Sequence, residues 1–170
     1  RLASASPVSR GAVWTDDGWI YFTRSQSGGI FRIAATGGVT EPVTNDAALE
    51  SREGHVWPDV SPDGAFLLYV ARRGDSFDEA RIVARSLRTG QQRTVIEGGT
   101  YARVAPDGRI AFARGAAVYA VEFDPVALAP RGLAQPILNG VQMDPLFGGS
   151  YYGVARDGTL VYVPGDARPP

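Results

Sequence analysis

The chain of 170 residues contains no cysteine and no lysine, and only one histidine and one methionine. Without cysteine there are no disulfides and no thiolate metal sites, and the redox compartment stays open. A single histidine excludes a histidine-rich metal site. Any Ser-His-Asp relay would have to be built on His55. No run of eighteen apolar residues occurs, so no segment reads as a membrane-spanning helix. No positively charged start leads into an apolar stretch, so no signal peptide is visible. A net charge of −1 and a pI near 5.8 give no general attraction to nucleic acid or anionic membrane. All seventeen basic residues are arginine; spread over the whole chain, this reads as the mark of a GC-rich genome rather than of bidentate recognition. Helical periodicity is nearly missing. The apolar residues come instead in runs of three to six, bounded by Gly, Pro, Asp and Ser.

What is present is a repeat. Asp17-Gly18, Asp63-Gly64, Asp107-Gly108 and Asp157-Gly158 are spaced by 46, 44 and 50 residues. Each pair precedes a short apolar run: WIYFT (19–23), AFLLYVA (65–71), RIAFA (109–113) and TLVYV (159–163). A period in the forties, with a turn signal and several short strands per unit, predicts a β-propeller with one four-stranded blade per repeat. In Ser61-Pro62-Asp63-Gly64 the proline presets φ, the aspartate suits the second central position and the glycine takes the left-handed one. Ala105-Pro106-Asp107-Gly108 repeats the device. A metal-binding role for these aspartates would need oxygen ligands at alternate positions and a closing glutamate, and no such loop occurs.

Runs apolar on both faces indicate strands buried on both sides, as the middle strands of propeller blades are. Blade by blade, strands are expected at 12–14, 19–23, 30–34 and 42–44; at 56–61, 65–71, 80–86 and 92–95; and at 101–105, 109–114, 117–123 and 135–138. Only 151–155 and 159–163 remain for a fourth blade. The blades then span about 12–46, 55–97, 100–139 and, incomplete, 150–165. The expected fold is all-β, with about three and a half to four propeller blades in one domain. A ring does not close on that count without exposing edges, and the chain opens without methionine; both suggest part of a larger propeller of six or so blades.

The segment HVWPDVSPDGAFLLYVARRG (55–74) resembles the Pro-Asp-type, WD-repeat-like repeat of TolB-like propellers. TDDGWIYFTRSQSGGIFRIAATGG (15–38) is similar to a blade of the same kind. The stretch 98–141, followed by GVARDGTLVYVPG (153–165), resembles the propeller that follows the membrane anchor in many bacterial eukaryotic-type Ser/Thr kinases. The resemblance covers residues 12–165. It implies an extracytoplasmic sensor module that binds a protein, peptide or envelope component. Two other roles are implied by related propellers: the substrate-gating part of a prolyl-oligopeptidase-like serine peptidase, or a TolB-like envelope assembly domain. The kinase motifs and the Gly-x-Ser-x-Gly elbow do not occur here, so the chain is expected to be non-catalytic and to need no cofactor or metal.

Single residues read blandly when taken one at a time. His55 beside Trp57 reads as a hydrogen-bonding staple between blades. Glu50, Glu53 and Asp59 near Arg52 read as solvated charges. Tyr101 and Tyr151-Tyr152 read as packing residues. The loops carry more. The segments 47–54, 74–79 and 142–149 are the longest polar connections, and blade topology puts all three on one face; the opposite face has tight hairpins, with 124–132 the exception. The candidate binding surface is that loop face and channel mouth: Glu50, Arg52, His55, Trp57, Asp75, Tyr101, Arg103, Asp144 and Tyr151. The expected partners are a protein or peptide ligand and the remaining blades of the same propeller, with no nucleic acid and no direct membrane insertion.

Overall fold

The computed structural model describes residues 2–5, 9–25, 27–44, 53–74, 77 and 79–165. Among them there are sixteen strands and no helix, so no helix is long and apolar enough to cross a membrane. Strands β1 (Ala12–Trp14), β2 (Trp19–Thr23), β3 (Ile30–Ala34) and β4 (Glu41–Pro42) form the first antiparallel sheet, in that order. The second sheet has β5 (Glu53–Val60), β6 (Phe66–Arg73), β7 (Arg81–Ser86) and β8 (Gln92–Glu97). The third has β9 (Thr100–Val104), β10 (Ile110–Arg114), β11 (Ala117–Asp124) and β12 (Ala129–Asn139). Two small hairpins follow: β13 (Met143–Asp144) with β14 (Gly149–Ser150), and β15 (Tyr152–Val154) with β16 (Leu160–Tyr162).

The Asp-Gly pairs close the hairpins between the first two strands of each sheet and between β15 and β16. Their glycines sit at φ of 84°, 70°, 84° and 86°, a region that costs a side-chain-bearing residue. Their aspartates are turn residues: Oδ1 of Asp63, Asp107 and Asp157 accepts the N–H two positions on, at 3.1, 3.1 and 2.9 Å. At Asp107 and Asp157 these backbone donors hold the carboxyl below its usual range.

The core consists of the contacts between blades. Along β6, Leu67, Tyr69 and Ala71 pack towards the first sheet with Tyr21 and Ile30. Phe66, Leu68 and Val70 point the other way and pack with Ile110, Phe112 and Phe123 of the third. Both faces of one strand are therefore buried, which is why its sequence lacks alternation. A smaller cluster of Ala111, Ala113, Val118, Val141 and Tyr152 joins the third sheet to the last hairpin. An exposed Arg156–Asp16 ion pair links the last hairpin turn to the first.

One expectation about loops needs correction. The segment 124–132 is not a long loop: β11 runs to Asp124, a four-residue turn follows, and β12 spans eleven residues from Ala129. Asp124 Oδ1 accepts the N–H groups of Val126 and Ala127 at 2.9 and 3.0 Å, and Leu128 is buried at φ 51° to pin the turn. The expected strand 135–138 lies within β12, which takes in Pro130 as well as Pro136; β12 is an outer strand, where a missing N–H costs no ladder bond on the open side.

Candidate functional site

Counted back from the first turn residue of each unit (Thr15, Ser61, Ala105, Ala155), the fourth position holds Gly11, Trp57, Tyr101 and Tyr151. At Trp57 and Tyr101 the inner strand bulges: the register shifts between Val56 and Asp59 on β5, and between Thr100 and Arg103 on β9. Both residues are left-handed, at φ 53° and 48°, and Gly11 matches them at 93°. Bulky side chains rarely adopt this conformation, and it persists only where the surroundings impose it. The bulges lift the rings out of the ladder so that they meet across neighbouring blades. Trp57 and Tyr101 lie edge to face with centroids 5.1 Å apart, and Tyr101 meets Tyr152 in the same way at 5.4 Å.

Over these rings folds a strap, the β13–β14 hairpin. Asp144 shapes its turn, with Oδ1 accepting the N–H groups of Leu146 and Phe147 at 3.0 and 3.2 Å. Two inner-strand side chains tie it down. The Trp57 indole N–H donates to the Phe147 carbonyl at 3.0 Å, and the Thr100 hydroxyl donates to the Gly148 carbonyl at 2.7 Å. The buried Arg10 guanidinium lies 3.7 Å from the centre of the Phe147 ring. Gly148 has φ 61°, and a Cβ there would run into the Phe77 ring, so only glycine fits.

Beneath the strap opens a cavity of about 670 Å³, within the range of small-ligand and peptide side-chain sites. Trp57, Tyr101, Asp144 and Tyr151, four of the candidate residues, line it together. Tyr151 is 47% exposed among the described residues. The Tyr152 hydroxyl donates to the Tyr101 carbonyl at 2.7 Å, and burial pushes its pKa up, so it stays protonated. The hydroxyl of Ser150, a residue that is 3% exposed and also lines the cavity, has no hydrogen-bond partner among the described residues.

The other candidates lie elsewhere. Glu50, Arg52 and Asp75 fall outside the described residues, as do 47–52 and residues 75, 76 and 78 of the two other long loops. His55 does not reach the mouth; it is buried between the first two sheets. There the Ile30 N–H donates to Thr44 Oγ1 at 2.7 Å, and Thr44 Oγ1 lies 2.8 Å from His55 Nδ1. His55 Nε2 lies 3.2 Å from Glu53 Oε1, and Glu53 pairs with Arg81 at 2.5 Å. Burial lowers the pKa of His55 against the pull of Glu53, so the imidazole is neutral. The Thr44 hydroxyl accepts from Ile30 and donates to Nδ1, leaving Nε2–H for Glu53. The staple is structural.

Arg103 is displaced too. It lines a second cavity of about 370 Å³ towards the hairpin turns, with Asp59, Pro62 and Pro106, although its guanidinium lies 4.0 Å from the Tyr101 ring centre. Asp59 is not a solvated charge: burial raises its pKa despite Arg103, and Oδ2 accepts the Val104 N–H at 2.8 Å. Arg10, Thr100, Phe147 and Ser150 were missed in the sequence. The signal that could have found three of them is the repeat, since Arg10, Thr100 and Ser150 all lie five positions before their turn residue.

No protein-family model matches the chain, and no curated protein does. Solved structures do. A TolB-type protein from Agrobacterium tumefaciens superposes with a TM-score of 0.70 at 17% identity, over 98% of this chain and 58% of that one. TolB from Acinetobacter baumannii gives 0.59 at 20% identity, over 94% and 39%. A puromycin hydrolase gives 0.63 at 17% identity, over 96% and 29%. The chain thus spans 58% and 39% of the length of these TolB structures. With three four-stranded antiparallel sheets packed side by side around their first strands, it has the β-propeller fold of TolB-like proteins.

Proposed function

We propose that this chain is a non-catalytic binding module whose ligand, a protein or peptide segment, enters the cavity under the β13–β14 strap. The observation that carries the reading is the convergence of Trp57, Tyr101 and Tyr151 from three successive units on one cavity, two of them held there at positive φ. Strain of this kind is retained where the resulting surface is used, and rigid aromatic anchors in a concave site are where binding energy concentrates. The motif resemblance supports an extracytoplasmic sensor role, in a receptor-like Ser/Thr kinase. A second reading is the gating propeller of a larger hydrolase; it is favoured by the likeness to puromycin hydrolase, of which the chain spans 29%.

The test is selection of displayed random peptides on the immobilised protein, followed by titration of the selected peptides. Tyr151→Ala is expected to weaken them at least about tenfold, the usual scale of an anchor truncation, while Arg88→Ala, in a turn on the opposite face, leaves them unchanged. Loss with Arg88→Ala and none with Tyr151→Ala overturns the choice of face.

A further inference from the structure

The strap is held by contacts that a separate peptide could make. Arg10 lies 3.7 Å from the centre of the Phe147 ring, Trp57 Nε1 donates to the Phe147 carbonyl, and Thr100 Oγ1 donates to the next carbonyl, that of Gly148. Arg10 and Thr100 stand five positions before their turn residues and Trp57 four before its own, so equivalent points of the first three units grip one short segment. Two of these contacts go to main-chain carbonyls, which every peptide carries. The side-chain demands are only two. The guanidinium takes an aromatic ring, and the residue after it must be glycine, because its φ is 61° and a Cβ there would run into the Phe77 ring. Arg10 and Thr100 are buried with the strap in place. The strap itself is lightly secured: Leu146 is 67% and Phe147 40% exposed, so it can open without unfolding the sheets beneath.

We propose that the strap is the internal occupant of a peptide site, and that a partner's segment bearing an aromatic–glycine pair takes its place on Arg10, Trp57 and Thr100. The aromatic side chain replaces Phe147 on the guanidinium, and two consecutive partner carbonyls accept from the indole N–H and the threonine hydroxyl. Its tether makes the strap a strong competitor, since a linked segment acts at an effective concentration on the order of millimolar. A partner meets the site only in the fraction of molecules whose strap is open, and its apparent affinity falls by that fraction. The inference rests on the mouth being the binding surface and adds what a ligand there must displace.

The probe is a fluorescein-labelled heptapeptide amide, Asp-Pro-Leu-Phe-Gly-Gly-Ser, copied from residues 144–150 so that its aspartate forms the same turn. It is titrated by fluorescence anisotropy. Two variants release the strap: Gly148→Ala, which adds the clash with Phe77, and Phe147→Ala, which empties the Arg10 contact without one. Both are expected to bind the peptide at least about tenfold more tightly than the parent, the factor for a strap closed in about nine-tenths of the molecules. Should Gly148→Ala fail to fold by circular dichroism, Phe147→Ala carries the test. In the released background Thr100→Val is expected to cost about tenfold, the scale of one buried hydrogen bond. A peptide with alanine in place of the first glycine is expected not to bind. Equal affinity of the parent and the released variants overturns the competition, and equal affinity for the glycine and alanine peptides overturns the aromatic–glycine rule. No binding to a folded released variant at millimolar peptide overturns the site. Strap release that leaves display-selected peptides unchanged, while Tyr151→Ala still weakens them, overturns the competition alone. A heptapeptide bound equally with Thr100→Val and with Tyr151→Ala sits elsewhere and overturns the mouth reading as well.

Discussion

Replacing Thr44 by valine tests the staple between the first two blades with almost no change of shape. Thr44 is 1% exposed, and its hydroxyl serves two buried groups at once, accepting from the Ile30 N–H at 2.7 Å and donating to His55 Nδ1 at 2.8 Å. Valine removes both bonds and leaves a buried donor and a buried acceptor without partners. At roughly 1–3 kcal/mol for each orphaned group, partly relieved by relaxation, the loss is about 3 kcal/mol. For a chain of this size that corresponds to a fall in melting temperature of roughly 6–12 °C, measurable by far-UV circular dichroism at pH 8. The double variant Thr44→Val/His55→Phe removes the orphaned acceptor as well, so its cost should fall below the sum of the single ones. The pH profile adds an independent reading. Burial keeps the folded-state pKa of His55 below its ordinary value of 6.5, so between these two values the unfolded chain binds more protons than the folded one. Stability should therefore fall as pH drops below about 6.5 and stop falling once pH passes beneath the folded-state pKa. His55→Phe should flatten this part of the profile. A melting shift under about 3 °C for Thr44→Val, together with an unchanged profile for His55→Phe, refutes the staple.

Leu68 is fully buried between the second and third sheets, so Leu68→Ala should cost about 2–5 kcal/mol in denaturant unfolding; a loss below about 1 kcal/mol would show that the blade interface is not packed as described. Trp57→Phe keeps a ring but removes the indole N–H, and should speed hydrogen exchange at residues 146–148 without a matching change in β10; equal exchange in the parent and the variant would mean the strap is not held by that bond. Gly148→Ala puts a methyl into the Phe77 ring at a positive φ and should release the strap more completely, detected as faster exchange over the same residues; unchanged exchange would contradict the close contact.

The hairpins were legible because their signal is local: an Asp-Gly pair states a turn geometry in two residues, and the bounds 12–14, 19–23 and 30–34 read from the sequence coincide with β1, β2 and β3. The doubly buried strands were legible for the same reason, since apolar runs report burial on both faces without any knowledge of the neighbour. β12 was legible only over 135–138; its earlier part was not, because Pro130 and Gly132 speak of local conformation while its strand character comes from pairing with β11. β13 and β14 were not either, since two-residue strands carry no period.

The site divided along the same line. That Trp57, Tyr101 and Tyr151 share a place follows from the repeat, which the sequence displays, but their use depends on a bulge, and a bulge is a relation between two strands. His55 shows the converse. Its neighbourhood on the chain, two positions before Trp57, suggested the mouth, and plain alternation would put both on one side; the bulge between Val56 and Asp59 instead turns the Trp57 ring to the strap while His55 Nδ1 faces Thr44. Arg103 was misplaced by distance along the strand: two positions beyond Tyr101, it lies nearer the hairpin turns and lines the second cavity with Asp59. Ser150 was the least legible residue, since a serine in a Gly-Gly-Ser-Tyr run reads as loop; only the hydrogen bond of its repeat counterpart Thr100 to the Gly148 carbonyl shows what a hydroxyl at that position does.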